Sequence, residues 1–182
     1  MQDEIYIKGP VLSPGATGWP GMTQDRPLSA KEIQKAAYQF LPGYSIIDVQ
    51  HSFMKQAEVV ESYVSPEQTE FNGKIYPEGT WFVTSRVTSP EIIKAVTDGE
   101  LTGYSIGAFP EKQYKELKRI NKSMFNDVEE GAWFPLAISI VDVPFYPEMV
   151  FKLFGPDDFI KKEQIVEDKI MSEDKTRDTL LE

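Results

Sequence analysis

The chain has 182 residues, of which 41% are hydrophobic and 26% charged, ordinary values for one globular domain with a tail. A formal net charge of −10 argues against a phosphate-backbone binder, and no run approaches the roughly 18 apolar residues of a membrane span. With no cysteine and one histidine, disulfides, thiol nucleophiles and His/Cys metal clusters are excluded, and no cofactor or metal is expected.

The first residues, Met1-Gln2-Asp3-Glu4, lack the basic start of a secretory signal, so the expected location is the cytoplasm. A short strand is predicted at 4–8, followed by a long loop at 9–28 carrying Pro10, Pro14, Gly15, Gly18, Pro20, Gly21 and Pro27. Ser29 and Glu32 have capping-box spacing ahead of a helix from Ala30 to Leu41, with Ile33, Ala36, Ala37 and Phe40 on one face. From Ser45 to Phe53 a strand is predicted, with Ile47, Val49, His51 and Phe53 on one side. Further strands follow at 58–64 and 80–88, with turns at Phe71-Asn72-Gly73-Lys74 and Glu78-Gly79. Ser89-Pro90 opens a short helix that Asp98-Gly99 closes.

Residues 110–122 have helical spacing, 126–131 read as a polar loop, and Pro135–Val143 as a strand. That strand's alternation sets Leu136, Ile138, Ile140 and Asp142 against Ala137, Ser139, Val141 and Val143. A helical segment is expected through Met149 to Phe154. The charged residues from Asp157 onward read as a solvated helix or tail. The expected division is a domain at 1–155 and a charged tail at 156–182.

Leu101 to Phe109 stands out because Ser105 lies between Gly103 and Gly107 in a strand-like run. Gly-x-Ser-x-Gly is the text of a nucleophile elbow. An α/β-hydrolase places its histidine after the serine, and no histidine follows Ser105. The chain is also small for that fold and lacks its strand–helix alternation. A serine hydroxyl needs a base to take its proton, and His51 is the one histidine available. A third group must hold the other ring nitrogen. Asp142 is the preferred candidate, because a carboxylate on a core face needs a partner, with Asp48 and Glu61 as further acids. The order His51, Ser105, Asp142 then falls on three separate strands.

Four ordered segments together resemble the prohead serine proteases of tailed phages, in particular the XkdF-like branch. They are His51 with Val60-Glu61-Ser62, then Gly79-Thr80-Trp81, then Gly99-Glu100-Leu101-Thr102-Gly103-Tyr104-Ser105-Ile106-Gly107, and finally Ser139-Ile140-Val141-Asp142-Val143-Pro144. The resemblance covers about residues 45 to 150. It implies an α+β fold, a mainly antiparallel β-barrel with flanking helices, herpesvirus-assemblin-like. It also implies a serine endopeptidase with Ser105 as nucleophile, His51 as base and Asp142 as the nearest acid for the third place. Many of these proteases carry an acid two positions before a serine in the last strand, where this chain has Ala137.

The implied substrates are the phage scaffolding protein, the major capsid protein and the protease itself, inside the immature head in the host cytoplasm. No nucleic acid or membrane partner is implied, and homo-oligomerisation is left open. Ile165-Val166-Glu167 and Leu180-Leu181-Glu182 fit a Leu/Ile-x-Glu cleavage text. A catalytically silent head component with the same fold is the alternative.

Overall fold

A computed structural model describes residues 3–17, 26–43, 45–109 and 134–155. The elements in chain order are β1 (Ile5–Leu12), α1 (Ala30–Phe40), β2 (Ile46–Val49), β3 (Glu58–Val64), β4 (Thr69–Phe71), β5 (Lys74–Tyr76), β6 (Trp81–Val87), α2 (Pro90–Thr97), β7 (Gly103–Phe109), β8 (Phe134–Val141) and β9 (Lys152–Phe154). Among the described residues, strands with two helices make an α+β fold, as expected. The helix and loop expected at 110–131 and the tail at 156–182 lie outside the described residues.

Three sheets form, ordered β3-β6-β1-β9, β2-β8-β7 and β4-β5. Every ladder is antiparallel except β2 with β8. Among the described residues the regular ladders do not close a barrel, but isolated bridges join the first two sheets at Ile47–Ala57 and Gly103–Val150. Two expectations are corrected. The first strand continues through Gly9-Pro10 to Leu12, with a register shift at Pro10/Leu12 absorbing the irregularity. The segment expected to be helical at 149–154 instead supplies β9. It is too short before Gly155-Pro156 to nucleate a helix, and Tyr6–Lys8 of β1 offers it a ladder.

The core fills one face of the β2-β8-β7 sheet. Ile47, Ile138, Ile140, Tyr104 and Ile106 alternate onto that face and pack with Ile5, Ile7 and Trp81. Tyr104 is fully buried, so its hydroxyl needs partners; it donates to the Ile7 carbonyl at 2.9 Å and pairs with the Ser85 hydroxyl at 2.8 Å. Burial pushes its pKa up, keeping it a donor. The alternation that sends Tyr104 and Ile106 into the core sends Gly103, Ser105 and Gly107 to the opposite face.

The capping box forms as its spacing predicts. Glu32 N–H donates to Ser29 Oγ at 3.3 Å, and Ser29 N–H donates to Glu32 Oε2 at 2.9 Å. Ser89 occupies the N-cap of α2 but its side chain makes no cap bond; Pro90 opens that helix. Arg26 also pairs with Glu32. The hydrogen bond from Arg26 leads in holding the Glu32 carboxyl down to about 2 from its ordinary 4.5; burial opposes it, and the Ser29 hydroxyl and amide assist. A depressed carboxyl pKa stabilises the fold fully above its ordinary value and loses that contribution as pH falls toward about 2. Solvent screening keeps the contribution under about 1 kcal/mol. The melting-temperature gap between wild type and Glu32→Gln should therefore be largest at neutral pH and shrink between pH 4.5 and 2. A gap that stays constant across that range would contradict the linkage.

Candidate active site

β2 stops at Val49, so the strand predicted to run on to Phe53 is shorter than expected and His51 lies beyond it. The chain instead turns through three residues in the left-handed region, with φ of 52° at Gln50, 56° at His51 and 57° at Phe53. Non-glycine residues take such values at a cost of about 1–3 kcal/mol each, so surrounding bonds must hold the turn. Gln50 N–H donates to the Ile140 carbonyl at 3.1 Å, Phe53 N–H to Asp48 Oδ2 at 2.6 Å, and Gln56 N–H to the Ile47 carbonyl at 2.8 Å. The Gln56 side-chain oxygen also accepts from Val49 N–H at 3.0 Å. This turn swings His51 off the line of Ile47 and Val49, toward the face that carries Ser105.

Ser105 and His51, 54 positions apart in the chain, meet with Oγ 3.1 Å from Nε2. The other ring nitrogen, Nδ1, lies 2.9 Å from Ser139 Oγ. Ser139 is directly opposite Ser105 in the β7/β8 ladder, so both hydroxyls project from one face and bracket the imidazole. Ser105 is 7% exposed and Ser139 fully buried, whereas His51 is exposed. For Nε2 to accept the Ser105 proton, Nδ1 must carry the ring's N–H and donate it to Ser139.

Asp142 is not brought to His51. It lies just past β8, exposed, with Oδ1 accepting from Val143 N–H at 2.7 Å. Gln50 first, then the Val143 amide, hold its carboxyl below the usual range. The reason is parity: Asp142 shares its alternation with Ile138 and Ile140, the core face, whereas the face toward His51 carries Ser139. Glu61 is engaged elsewhere, accepting from Lys8 Nζ and Thr84 Oγ1, each at 2.7 Å. Asp48 is buried at the base of the turn. Ser139 was not singled out from the sequence, although it is the one polar side chain between Leu136 and Val141.

The two glycines of the motif leave room for the protein itself. A Cβ on Gly103 would lie 2.4 Å from the Met149 carbonyl oxygen. On Gly107 it would lie 3.1 Å from the Phe53 ring and 3.6 Å from His51 Nδ1. Neither glycine has a positive φ, so no elbow forms at Ser105.

A serine hydroxyl on an imidazole whose second nitrogen is also held is the arrangement that serine-nucleophile chemistry requires. Comparison with known proteins gives the family. Residues 5–114, more than half the chain, match the Peptidase_S78_2 family model, described as "Putative phage serine protease XkdF". The chain belongs to this family of phage serine proteases.

Over 106 residues it is 38% identical to protein YqbD of Bacillus subtilis (strain 168), covering 54% of this chain and 33% of that protein. Over 80 residues it is 39% identical to the phage-like element PBSX protein XkdF of the same organism, covering 43% and 29% respectively. The chain thus spans about a third of the length of these curated relatives. Among solved structures, it aligns with a Kaposi's sarcoma-associated herpesvirus protease bound to a hexapeptide phosphonate inhibitor. That alignment has a TM-score of 0.46 and 9% identity, and covers 87% of this chain and 68% of the other. A second structure of the same viral protease, with an allosteric inhibitor, aligns at a TM-score of 0.46 and 11% identity, covering 87% and 82%.

Proposed function

We propose that this chain carries a serine endopeptidase that processes head proteins during phage assembly, with Ser105 as nucleophile, His51 as base and Ser139 in the third place. The observation that carries the reading is the simultaneous bonding of the His51 ring to Ser105 and Ser139. Family membership supports it. The two sheets and their connecting bridges support reading the fold as a barrel of the assemblin kind.

In the reaction, Ser105 Oγ attacks the scissile carbonyl carbon while His51 Nε2 takes the hydroxyl proton. The tetrahedral intermediate collapses, the C–N bond breaks, and the imidazolium returns the proton to the leaving amine. Water then attacks the ester with the same base and releases Ser105. During both steps Ser139 accepts from Nδ1–H and keeps the ring in register. Asp142, outside this contact, has no assigned step.

The substrates in this reading are the scaffolding protein, the scaffold-like part of the capsid protein, and the chain's own tail after Glu167. The setting is the immature head in the host cytoplasm. Intact-mass analysis after co-expression with the cognate scaffold is the test. Shortened scaffold and a tail ending at Glu167 are expected; full-length masses for both would overturn the reading. A catalytically silent head component is the second reading, favoured by the neutral Ser139 where an acid was expected.

A further inference from the structure

Asp48 is fully buried, and its two oxygens are unequal. Oδ2 accepts from Phe53 N–H at 2.6 Å, closing the strained turn that carries His51. Among the described residues Oδ1 has no hydrogen-bond partner. A buried carboxylate oxygen left in this state is costly and calls for a physical reason. Register points to a donor. Asp48 pairs with Ser139 across the parallel β2/β8 ladder, and Ser139 pairs with Ser105 across β7/β8. Paired residues project from the same face, so the three side chains form one row across three strands.

Ser139 has a surplus on its side of this row. In the tautomer that activates Ser105, its oxygen accepts the Nδ1–H of His51, leaving its own proton to donate. Among the described residues His51 is the one partner of its hydroxyl. The surplus proton of Ser139 and the unused acceptor of Asp48 are register partners in one buried row.

We propose that Asp48 is a positioning residue for His51, acting through Ser139. It draws the Ser139 proton toward β2, turning the hydroxyl so that its lone pair faces Nδ1–H, and it places a negative charge behind a third member that has none. In this arrangement His51 Nδ1–H donates to Ser139 Oγ, and the Ser139 proton is turned toward Asp48 Oδ1, with which it makes no hydrogen bond in the structure. Asp142 after β8 and Lys55 in the His51 loop are the other charged groups of these segments; Asp142 is solvent-exposed and engaged with Val143. This proposal rests on the Ser105–His51 reading above.

Because the chain contains one histidine, its ring can be observed without ambiguity. Long-range ¹H–¹⁵N spectra of the whole protein, at a pH where the ring is neutral, report the tautomer directly. Wild type should show Nδ1 protonated and Nε2 bare. Asp48→Asn is the decisive variant. Its amide oxygen can still accept from Phe53 N–H, so the turn is kept, while its NH₂ now donates toward Ser139. The Ser139 proton is thereby redirected onto Nδ1, and the ring should switch to the Nε2–H form, which cannot take a proton from Ser105. In a Ser139→Ala background the same Asp48 change should leave the tautomer unaltered.

An Nδ1–H ring retained in Asp48→Asn would overturn the proposal, because a residue that only ties down Phe53 is satisfied by asparagine. An Nε2–H ring in the wild type would overturn it without any variant, should Asp48→Asn not fold. The spectra need no proteolysis. A tautomer switch in a protein that cleaves nothing would retain this proposal while removing the protease reading, and normal cleavage with an unmoved tautomer would do the reverse.

Discussion

Replacing Ser105 by alanine should abolish scaffold processing, and labelling of the chain by a fluorophosphonate, while leaving the fold and melting temperature nearly unchanged. Ser105 Oγ lies 3.1 Å from the only histidine in the chain. Its removal takes away the nucleophile, and no cysteine is present to substitute for it. The structural cost is small because Ser105 lies on the sheet face opposite the core, and its hydroxyl has one described partner, His51. Loss of a single hydrogen bond of this kind is worth about 1 kcal/mol. Residual cleavage reduced by a few orders of magnitude is compatible with a missing nucleophile, since binding and oxyanion stabilisation persist. Cleavage and labelling at wild-type rates would remove Ser105 from the mechanism, and the enzyme reading with it.

The two glycines beside Ser105 should respond differently to alanine. At position 103 the new Cβ would lie 2.4 Å from the Met149 carbonyl oxygen and 2.9 Å from Pro144. That carbonyl accepts from Tyr104 N–H at 2.9 Å, and Gly103 itself bridges Val150, so the obstacle is backbone already fixed by hydrogen bonds. Gly103→Ala should therefore cost about 1–3 kcal/mol or more of stability, as overpacking against an immobile neighbour does.

At position 107 the nearest atom is the edge of the Phe53 ring at 3.1 Å, and Phe53 is 49% exposed, so the ring can give way. The strain then passes into the left-handed turn that presents His51. Gly107→Ala should leave the melting temperature within a few degrees of wild type while lowering turnover more than it changes KM. Equal stability losses at both positions, or unchanged turnover at 107, would refute this division.

Much of the fold follows from local pattern. The capping box at Ser29 and Glu32 forms because its bonds are made within four residues, and the turns at Asn72-Gly73 and Glu78-Gly79 fall where glycine supplies a positive φ. Other elements escaped the pattern because distant partners decide them. β9 is a strand because an edge of β1 is free to receive it. His51 leaves its strand because Asp48, Ile140 and Gln56 together stabilise three left-handed residues that local preference alone would reject.

The candidate site divides in the same way. By itself the sequence determined that a serine–histidine pair within this chain must use His51, since composition offers one histidine. Alternation in Gly103-Tyr104-Ser105-Ile106-Gly107 likewise determined that Ser105 shares a face with two glycines. What only the tertiary structure decided was the third partner. Alternation repeats every two residues along one strand and carries no information about alignment with the next, whereas the β7/β8 register sets Ser139, not Asp142, opposite Ser105. The β2/β8 register adds Asp48 to the same row. Registers are set by the summed packing of whole strands, which is why the residues flanking His51 became legible only once the strands were paired.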